Sequence, residues 1–172
     1  MLLRLSVAAV TFVLGCASEP VVPPSLQGQL DRTLTFTQLK ESPTSYRGRI
    51  VVFGGEVLSA KRLKEGTRIE VLQVPLDSFY APGTDRTSSQ GRFLALQKEF
   101  LDPATLPPGT RVTVTGEVTG ATTLPLDETE YTYPLLEIKS LKVWPPSFES
   151  RPNYGPYNGP YWGRWGPYPY WW

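Results

Sequence analysis

No histidine occurs in this chain of 172 residues, and cysteine occurs once. Without imidazole there is no Ser-His or Cys-His nucleophile and no common His-bearing zinc site. A single thiol excludes an internal disulfide, a CxxC redox pair and a cysteine-cluster metal centre. Charge of one sign is missing too: 17 Lys and Arg stand against 16 Asp and Glu, for a formal net charge of +1. A nucleic-acid partner would need a basic stripe, and the densest basic stretch, Lys61, Arg62 and Lys64, is followed at once by Glu65. Enzyme chemistry built from carboxylates, lysine or tyrosine is the class that these absences leave standing.

What is present falls into distinct segments. Leu5 to Leu14 is apolar behind Arg4, the first charge, but is shorter than the ~20 residues needed to cross a bilayer. The pattern is that of a signal peptide. It ends in Val13-Leu14-Gly15-Cys16, which resembles the lipobox of bacterial lipoproteins, with Leu14 larger than the residue common at that place. The resemblance implies cleavage after Gly15, then a covalent diacylglycerol and an N-acyl lipid (such as palmitate) on Cys16. One acyl chain holds a protein to a membrane only marginally, whereas two or more hold it stably. The absence of Asp after Cys16 implies the outer membrane in proteins of this kind. No other cofactor is expected.

The division expected is residues 1–15 signal peptide, 16–31 lipidated N-terminus and tether, 32–144 folded domain and 145–172 disordered tail. Thr37 to Glu41 suits a helical turn capped by Thr37. Strands are expected at 49–60, 67–75, 91–97, from about 111 to 118, and from Tyr131 to Trp144. Gly54-Gly55 suggests a bulge or a sharp bend, Lys64-Glu65-Gly66 a turn, and 120–130 an acidic loop. A short helix is expected within Lys98 to Thr105. The apolar phase of the last strand slips near Ser140, which suggests a bulge. The class is all-β: a small five-stranded OB-like Greek-key barrel with one or two short helices.

A run of motifs adds to this reading. Tyr46-Arg47-Gly48, Gly54-Gly55-Glu56-Val57, Thr67-Arg68-Ile69-Glu70-Val71, Pro75-Leu76-Asp77 and Gly91-Arg92-Phe93 come first. Phe100-Leu101-Asp102-Pro103, Thr113-Val114-Thr115-Gly116, Tyr131-Thr132-Tyr133-Pro134 and Trp144 follow. The series resembles the Slp family of bacterial outer-membrane lipoproteins, named for starvation-inducible members. The resemblance implies an outer-membrane anchor in a Gram-negative envelope and a part in starvation or stress response. It supplies no catalytic residue.

Residues 145–172 hold seven Pro, four Gly and ten of the 21 aromatics. Such density of Pro and Gly opposes regular structure. Tyr161, Trp162, Trp165, Tyr168, Trp171 and Trp172 are the expected contact residues, for lipid headgroups, envelope glycan or an envelope protein. The tail folding back over its own domain is the structural alternative.

The leading expectation is a non-enzymatic binding or structural module of the envelope. The alternative is an enzyme acting on envelope glycans through carboxylates such as Glu56, Asp77 or Asp102, which requires two of them about 5–9.5 Å apart. Arg92 is the cation expected to pair with Glu56, or with Asp77 or Asp102 if buried.

Overall fold

A computed structural model of the chain describes residues 20–145. Five strands carry it: β1 (Ile50–Arg62), β2 (Thr67–Val74), β3 (Gly91–Gln97), β4 (Arg111–Leu126) and β5 (Thr129–Trp144). They form one sheet closed into a ring in the order β1-β2-β3-β5-β4. All neighbours are antiparallel except β3 and β5, which pair in parallel over Leu94↔Leu135 to Leu96↔Glu137. Closure leaves few open edges, which suits a domain made of so few strands.

Alternation decides which residues fill the ring. Ile69 and Val71 of β2, Phe93 and Ala95 of β3, and Val112, Val114 and Val118 of β4 are buried in one core. Phe36, Phe53 and Phe93 meet there, with ring centroids 5.4 to 6.5 Å apart. Phe36 opens α2 (Phe36–Glu41), which packs its Phe36 and Leu39 into the core. The cap of α2 is Thr35, not Thr37: its hydroxyl accepts from the Gln38 N–H while Gln38 accepts from the Thr35 N–H. That reciprocal box satisfies two amides that a bare helix end leaves unpaired.

Several boundaries differ from expectation. The 120–130 segment is no acidic loop. β4 runs on to Leu126 and turns through Asp127 and Glu128, with Asp127 at φ 54°, into a β5 that starts at Thr129. Exposed Thr123 and Pro125 alternate there with half-buried Leu124 and Leu126, a stretch too short and too close to Asp127, Glu128 and Glu130 to stand out as strand. Residues 98–105 make only a 3₁₀ turn, Pro103–Thr105. The Gly54-Gly55 pair carries no bulge. A side chain at Gly55 would collide with the Leu72 carbonyl and one at Gly54 with the Val112 carbonyl, so Gly55 permits the close approach of β1 to β2 and Gly54 that of β1 to β4. The bulge on that pair falls instead between Val57 and Ser59. The slip near Ser140 is present: Thr115 pairs Ser140 and Gly116 pairs Ile138, which leaves Lys139 without a partner across the ladder.

The expected tether also changes. Val22 is buried, a helical turn α1 covers Pro24–Gln27, and Leu30 bridges Ile50. The Val21 carbonyl accepts from the Thr115 hydroxyl at 3.1 Å and the Ser140 hydroxyl at 3.5 Å. The segment from Pro20 to Asp31 therefore lies on the domain. It covers the outer face of β4 at Thr115, while Thr113 on the same face is met by the Tyr80 carbonyl, which accepts its hydroxyl at 2.6 Å, and by the Trp144 indole; both threonines are therefore buried alongside the valines that alternate with them.

Candidate functional site

The carboxylates nominated by sequence each have a local structural partner. Glu56 on β1 accepts from Arg86, with Nε at 2.7 Å and Nη2 closing the second arm. Asp77 follows β2, where its Oδ1 accepts from the N–H groups of Phe79 at 2.8 Å and Ala81 at 2.9 Å. Asp102 caps the 3₁₀ turn through the Ala104 N–H at 2.9 Å. Asp and Asn side chains take such roles wherever a chain reverses. Among the described residues no cluster of three or more Asp, Glu or Cys is placed to hold a metal ion.

Arg92 does not pair with Glu56. Its Nη1 lies 2.8 Å from Oε1 of Glu70, which also accepts from the Tyr133 hydroxyl at 3.3 Å, while Ser59 donates to Oε2 at 3.3 Å. The register gives the reason. Leu72 faces both Glu56 and Arg92 and so stands between them, whereas Glu70 is the diagonal neighbour of Arg92 on the adjacent strand. The hydrogen bond to Glu70 raises the Arg92 guanidinium further above its usual range. Burial, then the Glu70 charge, raises the Tyr133 phenol, so it stays a donor. Beside this cluster the Tyr131 hydroxyl accepts from the Arg92 N–H at 3.0 Å. That contact sits short of the Leu94–Leu96 stretch where β3 pairs with β5. The group closes a seam in the ring.

A cleft of about 950 Å³ lies where β4 begins, lined by Glu56, Pro107, Pro108, Arg111, Trp144 and Pro145. Arg111 donates to the carbonyls of Pro82 at 3.2 Å and Pro145 at 3.3 Å. The Trp144 indole donates to the Thr113 hydroxyl at 2.9 Å. The polar groups of this cleft are thus tied into the wall. It has the apolar and proline-rich lining of a contact surface, with Pro145, the last described residue, at its edge. Cys16, its flank Val13, Leu14 and Gly15, and the tail positions Tyr161, Trp162, Trp165, Tyr168, Trp171 and Trp172 all lie outside the described residues.

Three side chains received no contact role from the sequence, although Phe100 stands in one of its motifs. Phe79, Phe100 and Val143 are the exposed large apolar residues among those described, at 78%, 77% and 44% exposure. A phenylalanine inside an otherwise polar loop, as at 79, was the available signal.

Together these features define a small all-β module, closed on itself, whose nominated acids hold two turns and one arginine. Comparison with known proteins places it further. The model of the outer membrane lipoprotein Slp family matches residues 13–172. The lipoprotein YeaY of Escherichia coli (strain K12) is 32% identical over 139 residues, covering 80% of this chain and 71% of that protein. Outer membrane protein Slp of the same organism is 29% identical over 140 residues, covering 80% and 72%. A Haemophilus influenzae protein is 25% identical over 130 residues, covering 76% and 69%. This chain belongs to the outer membrane lipoprotein Slp family, and it is an outer membrane lipoprotein. None of these names is that of an enzyme.

Proposed function

We propose that the chain is a non-enzymatic binding or structural module of the Gram-negative envelope, held to the outer membrane by an acylated Cys16. The folded part is read as an OB-like Greek-key barrel. The strand order β1-β2-β3-β5-β4 and the parallel β3–β5 contact support that reading. The observation that carries the anchor is positional: the chain's one thiol stands five residues before Val21, whose carbonyl is bonded to Thr115 of β4 and Ser140 of β5. A lipid on Cys16 therefore needs no rearrangement of the ring. The separation of Glu56, Asp77 and Asp102 into three structural roles supports the non-enzymatic half.

Residues 145–172, with their ten aromatics, serve in this reading as an accessory contact segment for lipid, glycan or protein. A part in starvation or stress survival belongs to the same proposal, and survival of a deletion strain through prolonged starvation tests it.

Cys16→Ser tests the anchor. In a strain lacking residues 146–172 as well, the variant should fold and leave the membrane fraction. Retention in that fraction would contradict the anchor. A photo-crosslinking residue at Trp165 of the full chain should capture a lipid, a glycan or a second protein. Capture confined to the chain's own ring would contradict an outward contact.

A further inference from the structure

The three exposed apolar side chains are not scattered. Phe100 and Val143 line one cleft of about 410 Å³, together with Pro20, Leu101 and Lys142. Phe79 lines a second, of about 340 Å³, together with Pro20, Val22 and Arg32. Both clefts share Pro20, the first described residue, so every exposed large apolar side chain among the described residues borders the place where the N-terminal segment enters the fold.

Two further facts concern the same place. The Val21 carbonyl is bonded to Thr115 and Ser140, which fixes the entry point on the outer face of β4 and β5. Cys16 is four residues from Pro20, and four residues span at most about 14 Å fully extended. A lipid on Cys16 cannot hold this face farther than that from the bilayer surface.

Charge agrees with this placement. The linings of both clefts contain Arg32, Lys139 and Lys142 and no carboxylate. Lys139 is paired with Glu117 and Glu137. Among the described residues Arg32 and Lys142 have no ion-pair partner, and Arg62, whose guanidinium lies 5.4 Å from the Phe100 ring centre, has none either. Exposed apolar groups with unpaired cations beside them are what an anionic phospholipid surface receives.

We propose that the face around Pro20, carrying Phe79, Phe100 and Val143 with Arg32, Arg62 and Lys142, seats directly on the phospholipid headgroup layer. It makes the domain a membrane-apposed body rather than one held off on a tether. The inference rests on acylation of Cys16, and the test separates the two.

The full lipidated protein is purified from membranes and reconstituted in vesicles of phosphatidylethanolamine and phosphatidylglycerol, with or without a lipid bearing a nitroxide on its headgroup. Single cysteines at Ser78→Cys, Glu99→Cys or Glu128→Cys take a bimane fluorophore, since an acylated Cys16 offers no thiol. Ser78 and Glu99 adjoin the exposed phenylalanines. Glu128 lies at the β4–β5 turn, the far end of the ladder from Lys142 and Val143. The nitroxide lipid should extinguish fluorescence at 78 and 99 and leave that at 128 intact. Adding Phe79→Ser and Phe100→Ser should restore fluorescence at 78 and 99 while the protein stays with the vesicles. Equal quenching at the three positions, or quenching that survives the double substitution, would overturn the proposed face with the anchor intact. Labelling of the parent protein at Cys16 would overturn the anchor and the face with it.

Discussion

Five phenylalanines divide this domain into two regions. Phe36, Phe53 and Phe93 interlock inside the ring, each buried, with edge-on and tilted contacts. Phe79 and Phe100 stand in solvent around Pro20. The residue type is the same, and the physical consequence differs. Inside, each ring is removed from water on folding and contributes to stability. Outside, the same apolar surface contributes nothing until something covers it. Burial thus separates the phenylalanines that hold the fold from those free to make contact.

The comparison can be broken from the inside first. Phe93→Ala should cost about 3–5 kcal/mol, the usual range for deleting a buried aromatic ring, read as a lowered urea midpoint. Thr35→Ala acts at one remove. It takes away the cap that sets α2, and with it the seat of Phe36, and should cost about 1 kcal/mol by the same measurement. Phe79→Ser with Phe100→Ser should move stability by less than about 0.5 kcal/mol each, the common range for surface changes. A large loss from the exposed pair would erase the distinction between the regions.

The rim of the exposed region adds a pH dependence. Glu137 accepts from Lys139 at 2.8 Å and lies 2.6 Å from Lys98, and these bonds, Lys139 foremost, lower its carboxyl below the ordinary 4.5. A folded-state value below the unfolded one means the ion pairs stabilise the domain above that ordinary value. The contribution is lost as pH falls through the lowered value. Glu137→Gln should therefore flatten the acid limb of a stability-against-pH curve and leave its slope near neutrality unchanged. An unchanged acid limb would show that Glu137 is not coupled to folding.

The ring's interior could be read from sequence because period-two burial is a local property. Val112, Val114 and Val118 announce β4, and the slip at Ser140 announces a bulge before any partner strand is known. The outer surface could not be read that way. Whether Thr115 meets water depends on Val21, more than ninety positions earlier, reaching across to accept its hydroxyl. Arg92 finds Glu70 rather than Glu56 because of register, which no single strand contains. The hairpin through Asp127 was hidden since only Leu124 and Leu126 mark its inner face, between Pro125 and the acidic Asp127, Glu128 and Glu130. Cys16 and the aromatic tail were nominated by sequence, and both fall outside the described residues.

The central claim is that Cys16 begins the mature chain and carries the lipid. Mass spectrometry of the N-terminal peptide from membrane-extracted protein tests it most directly. The predicted result is a peptide starting at Cys16 with a diacylglyceryl thioether and an N-acyl group. A peptide with a free Cys16 thiol, or one that still retains Gly15, would contradict it.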